Sequence, residues 1–157
     1  MGIEQVREYF KIYGRDDDIM EFDISSATVE LASQALGIEP ARIAKTLSFR
    51  DDGGAMLVVT AGDAKVDSSK FKSVFGFKAR MLKPEEVMKY TGYAVGGVCP
   101  FGLTGDVPVY LDVSLQRFES VYPACGSDNS AIKLSLPELE IFSASRRWID
   151  VCKNWQD

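Results

Sequence analysis

The stretch KTLSFRDDGGAMLVVTA, residues 45–61, limits the fold more than any other part of the chain. Its first half alternates in polarity with a period of two. Two aspartates and two glycines then supply the positive φ that a tight turn requires, which is a β-hairpin signature. The second half, Ala55–Ala61, is apolar on both faces except at Thr60. A strand of that kind is stable only when both of its faces are covered, so it belongs in the centre of a sheet with further layers packed on it.

The flanking sequence supplies those layers. Ile3, Val6 and Phe10 recur at helical spacing over residues 3–12, and Gly14 with RDDD ends that helix. IMEFDI is a short strand candidate. Ser26 or Thr28 is placed to cap a second helix, with Val29, Ala32 and Leu36 on one face and Gly37 as its stop. IEPARIA adds a helical turn with Pro40 at its start. Residues 67–75 and 84–90 read as helices with FKARML as a strand between them, and VPVYLDV and SAIKLSL read as later strands. LPELEIF is a short helix, and RRWIDVCKNW an amphipathic tail of unassigned type. Strands alternating with helices, with at least one hairpin, predict an α/β (α+β) single domain over residues 1–157, a curved mixed β-sheet flanked by helices. GGVCPFG has neither GxGxxG spacing nor a following helix pattern, which excludes a dinucleotide-binding fingerprint.

Composition narrows the chemistry. Among 157 residues, 46% hydrophobic and 26% charged, there is no histidine, which removes every mechanism that needs an imidazole base and makes a zinc site of the usual kind improbable. No cofactor and no metal are expected. Cys99, Cys125 and Cys152 form no CxxC pair, and their odd number fits reduced thiols. With no apolar run of membrane-spanning length and a charged, helical start, the expectation is a cytoplasmic protein with no membrane partner. The net charge of −5 argues against a broad basic face for nucleic acid. Residues 64–90, however, carry seven cations against three acids, so this segment is +4 and the remainder −9.

Three places attract functional readings. Alternation puts Lys45 on one face of its strand with Leu47 and Phe49, at the entrance to the apolar side. A lysine there either snorkels to water or stays partly desolvated in a cleft, where it holds a phosphate or polarises a carbonyl. The loop YAVGGVCPFGL, residues 93–103, has little side chain around Gly96 and Gly97, which lets a ligand approach backbone N–H groups. A second loop, YPACGSDNSAI, surrounds Gly126 with small hydrogen-bonding residues, as turn chemistry alone would also do. Cys99 and Cys125 lie in these loops, but no histidine exists to activate them, so packing is the favoured role over nucleophilic attack.

In order, TVELASQALGIEPARIAKTL, the strand pair, TGYAVGGVCPFG, VYLDVSL and PACGSDNSAIKL resemble the YbaK and prolyl-tRNA synthetase associated domain family, also called YbaK/EbsC, from about residue 20 to about residue 142. The resemblance implies an aminoacyl-tRNA editing deacylase, a hydrolase of the ester in mischarged tRNA, with a curved mixed sheet. It implies that Lys45 is the family's essential lysine, that Gly96 to Pro100 is its GxxxP loop lying against the aminoacyl ester, and that Gly126 belongs to the last site loop. The basic pair that some members carry after that glycine is here Ser127 and Asp128, so the resemblance does not extend to cysteinyl-tRNA specificity.

The site expected on this basis has Lys45 positioning the substrate and the backbone of Gly96 and Gly97 stabilising an oxyanion. Phe22, Val29, Val98, Cys99, Pro100, Cys125, Gly126 and Ser127 are expected to bind the substrate. The expected partner is the aminoacylated 3′ end of tRNA of the proline type or a related one, met by the basic segment, with an aminoacyl-tRNA synthetase as a further partner. Two other classes remain open at this stage: a non-catalytic aminoacyl-tRNA or nucleotide-binding module, and a thiol-based redox protein.

Overall fold

The computed structural model describes residues 2–23, 25 and 28–155. Helix α1 (Gly2–Lys11) buries Val6 and Phe10, as the spacing predicts. The expected first strand shortens to β1 (Met20–Glu21), because only those two residues find a partner. Helix α2 (Val29–Leu36) is capped by the Thr28 hydroxyl, which accepts from Leu31 N–H, and stops at Gly37 in the left-handed region. Ser26, the alternative cap, lies outside the described residues. Residues 40–42 form a single 3₁₀ turn that leads straight into β2 (Ile43–Asp51).

Strand β2 and β3 (Gly54–Ala61) form the expected antiparallel hairpin, with Lys45 opposite Thr60. They lie at the middle of a six-stranded mixed sheet. After the short β4 (Lys65–Val66), helices α3 (Ser68–Phe75) and α4 (Pro84–Thr91) occupy the predicted segments. The remaining strands are β5 (Val109–Asp112), β6 (Ser120–Pro123), β7 (Ser130–Ala131) and β8 (Leu134–Ser135). Helix α5 (Leu136–Ser143) precedes β9 (Arg147–Ile149) and β10 (Cys152–Lys153). The order across the large sheet is β8-β6-β2-β3-β5-β9, while β1 pairs with β7 and β4 with β10. The uncommitted tail thus becomes strand structure, and SAIKLSL divides into two strands with different partners.

Residues 77–82 do not form the expected strand. Their contact with the sheet is a single bridge between Met81 and Phe49, flanked by hydrogen bonds from Arg50 N–H to the Arg80 carbonyl and from Leu82 N–H to the Ser48 carbonyl. The reason lies in β2. Its outer edge is shared: β6 pairs with Ile43 and Ala44, and the 80–82 segment with the far end. The edge at Lys45–Leu47 between them has no strand partner among the described residues.

Two aromatic groups fasten the helices, α3 to the sheet and α1 to α5 and the loop at Phe101. Phe71 of α3 packs on Phe49, Phe75 and Phe77 with centroids 4.7–6.0 Å apart. Phe10 of α1 meets Phe101 and Phe142 at 5.0 and 5.2 Å. Since Phe71 is fully buried, Phe71→Ala is expected to lower stability by about 3–5 kcal/mol, read as a lower denaturant midpoint with the slope unchanged.

Candidate functional site

The interrupted edge of β2 opens into a cavity of about 490 Å³. Alternation decides what faces it. Because Ser48 and Arg50 direct their backbone groups outward, Thr46, two residues earlier, does the same, and its N–H and C=O lie at the gap. Thr46 Oγ1 is also buried without a hydrogen-bond partner among the described residues. Helix α2 contributes Val29 and Ala32, α4 contributes Pro84 and Val87, and Ala124 and Ala131 form the wall beyond β6. Met81, 58% exposed, stands on the rim.

Lys45 lines this cavity, half-buried. Its Nζ donates to the Ala64 carbonyl at 2.6 Å. Burial pushes its pKa below the ordinary lysine value; Asp63 and Glu30 oppose that shift and Lys65 adds to it. An ammonium with one fixed acceptor keeps its other donors for a ligand.

The glycine loop closes one end, through Gly96 and Val98. Gly96 has φ +99, a conformation that side chains avoid. Gly97 is glycine for a different reason. A Cβ there would stand 2.8 Å from the Gly126 carbonyl carbon and the Ser127 backbone, so the two loops touch main chain to main chain. Gly97 N–H is already used, donating to the Ala94 carbonyl at 3.0 Å, and so does not supply an oxyanion donor. Gly96 and Val98 N–H take part in no hydrogen bond among the described residues.

The other expected residues are dispersed. Phe22, half-buried, is tied to Asn129 by a backbone bond of 2.8 Å and by the Asn129 amide at 3.0 Å, behind the last loop rather than on the cavity wall. Ser127 Oγ bonds Ser130 Oγ at 2.7 Å, and it is Ser130 that reaches the cavity. Gly126 packs on the start of α1, where a Cβ would come 2.5 Å from the Gly2 carbonyl oxygen. Pro100 faces a separate depression beside Tyr9 and Phe142.

Cys99 and Cys125 are completely buried and absent from the cavity wall. Burial pushes the Cys99 thiol up to about 12 and raises Cys125 well above the usual cysteine value. Small polarizable side chains fill the space beneath the loops, which is a packing role. Thr46, Ala124 and Ser130 were missed from sequence; the signal for Thr46 was its place next to the lysine in a strand whose edge is open.

A model of the aminoacyl-tRNA editing domain matches residues 25–142. This chain belongs to that family. YwhH of Bacillus subtilis, an uncharacterized protein, is 56% identical over 157 residues, covering 99% of this chain and all of that one. EbsC of Enterococcus faecalis, named as a candidate Cys-tRNA(Pro)/Cys-tRNA(Cys) deacylase, is 30% identical over 110 residues, 69% of this chain and 67% of its own. A solved structure described as a candidate trans-editing enzyme for prolyl-tRNA synthetase superposes with a TM-score of 0.87 at 29% identity, covering 97% of each chain. The fold is therefore that of this editing family, as the sequence motifs implied. Among the described residues no helix is long and apolar enough to cross a membrane.

Cys99 and Cys125, neutral because their pKa values are raised, and Cys152, buried with them, are expected to resist an aromatic disulfide reagent at pH 8 in the native protein. In denaturant all three should react at once, which a spectrophotometric thiol count checks.

Proposed function

We propose that the protein is a trans-editing deacylase that hydrolyses the ester of mischarged aminoacyl-tRNA, with tRNA of the proline type or a related one as substrate. One observation carries this reading: a half-buried lysine, fixed at 2.6 Å by a carbonyl, stands at an open strand edge on an apolar cavity of about 490 Å³. Family membership over residues 25–142 supports the same reaction class.

The aminoacyl group enters the cavity and its ester lies between Lys45 and the 96–98 loop. Water attacks the carbonyl carbon, and negative charge grows on the carbonyl oxygen. Gly96 and Val98 N–H, uncommitted among the described residues, and the Lys45 ammonium oppose that charge; one such donor is commonly worth about 3–4 kcal/mol. The C–O bond to the terminal ribose then breaks, the ribose oxygen takes the proton that the water lost, and the free amino acid departs. No side-chain base is required. An aminoacyl ester is labile by itself, so placement and charge stabilisation carry the rate.

Thr46 C=O, directed outward, accepts from the substrate's α-ammonium. The wall of Val29, Ala32, Val87 and Ala131 favours a small apolar side chain and discriminates by about 1–3 kcal/mol per methylene. Met81, Leu82, Pro84 and Val87 line the cavity and belong to the basic 64–90 segment, whose cations are the groups to meet the tRNA backbone.

Lys45→Ala is expected to abolish hydrolysis while the fold stays intact. The test uses tRNAs mischarged with Ala, Ser, Thr, Cys and Pro, run beside that variant under multiple turnover. Lysine-dependent release of one or two amino acids supports the deacylase. Binding across the panel without turnover would instead make the protein a non-catalytic module.

A further inference from the structure

The Lys45 ammonium is only as well placed as the Ala64 carbonyl that holds it, and Ala64 lies in a turn, not in the large sheet. That turn, residues 61–67, is bonded from several sides. Ala61 N–H donates to Ser114 Oγ at 3.1 Å, and Ser114 N–H donates to Asp112 Oδ2 at 2.9 Å. The other Asp112 oxygen, Oδ1, accepts from Val151 N–H at 2.9 Å. The Val151 carbonyl accepts from Asp67 N–H at 2.7 Å, which returns the circuit to the far end of the same turn. Between these points β4 pairs with β10, Val66 opposite Cys152. Asp63, the neighbour of Ala64, is held in a two-pronged ion pair by Arg117, which stacks on Phe118 and Trp155 at 5.0 and 5.1 Å.

The node of this circuit is Asp112, a carboxylate with no solvent exposure. A buried charge is costly unless it is fully hydrogen-bonded. Here the charge has a use that a neutral side chain would not serve. Two backbone N–H groups converge on it from different segments, and two acceptor oxygens are needed. A carboxylate has two, whereas an asparagine has one and would turn its NH₂ toward a second donor.

We propose that Asp112 is a positioning residue for Lys45, acting through Ser114, Val151 and the 61–67 turn, with the C-terminal strand β10 as part of the same brace. Residues 147–153, which form β9 and β10, lie beyond the 25–142 span of the family match. They give Lys45 a support that the matched span does not itself contain. The proposal rests on the deacylase reading only for its effect on rate; the placement of the ammonium is a physical property in its own right.

The experiment attaches ¹³C-methyl groups to the lysines of the whole chain by reductive methylation and records their NMR signals. The Lys45 signal is assigned by its loss in Lys45→Arg. In the parent protein it should stand apart from the signals of exposed lysines such as Lys72. In Asp112→Asn it is expected to move to the exposed-lysine position while unfolding stays cooperative, and deacylation should fall on the order of 10²-fold through kcat. Ser114→Ala, which removes only the acceptor of Ala61 N–H, should move the signal in the same direction and covers the case in which Asp112→Asn does not fold. An unmoved Lys45 signal in a folded variant overturns the proposal, whatever the activity. If the parent protein released no amino acid from any mischarged tRNA, the deacylase reading would fall and the spectrum would still decide the brace.

Discussion

An ammonium group half-withdrawn from water must be given an oxygen, and the placement of that oxygen governs much of this molecule. The Ala64 carbonyl meets Lys45 Nζ at 2.6 Å. To present it, the chain must leave β3, turn at 61–64 and return as β4 against the last strand. The hairpin brings Lys45 opposite Thr60, so the lysine side chain and the turn that receives it are near neighbours in space. The lowered pKa of Lys45 follows from the same arrangement, since burial costs the charged form more than its neighbours return.

The cavity arises from a shortage of strand pairing. β6 reaches only to Ala44 and the 80–82 segment begins only at Ser48, so the strand between them keeps outward-facing backbone groups. In an ordinary sheet such an edge is a hazard of mispairing. Here α2, α4 and the 96–98 loop surround it, and it becomes the polar strip of an otherwise apolar chamber.

How far the sequence revealed this depended on whether each signal was local. Thr28 and Gly37 at the ends of α2, the Asp-Gly turn of the hairpin and the two-faced apolar β3 all express short-range rules, and all were legible. FKARML had strand-like alternation, but whether it paired depended on how much of the β2 edge β6 would occupy, which no local window contains. β6 itself, SVYP, was hidden by its brevity and its proline. At the site, Lys45, Val29, Gly96 and Val98 were read onto the cavity that contains them. Cys99 and Cys125 were not, because a loop has two sides and composition does not say which one a small side chain fills. At Gly97 the contact that excludes a side chain is with another loop, which composition does not show. Asp112 read as a strand residue; that two N–H groups from distant segments converge on it is a property of the tertiary fold alone.

The distribution of sulfur has a consequence for oxidative damage. Peroxide attacks ionised, accessible thiols first, and the three thiols here are buried. Met81 is the opposite case, a thioether 58% exposed on the cavity rim. Its conversion to the sulfoxide would place a strong dipole on the rim of the cavity. The protein would stay folded while the polarity of the cavity rim changed, and methionine sulfoxide reductase, rather than a thiol reductant acting on cysteine, would restore it.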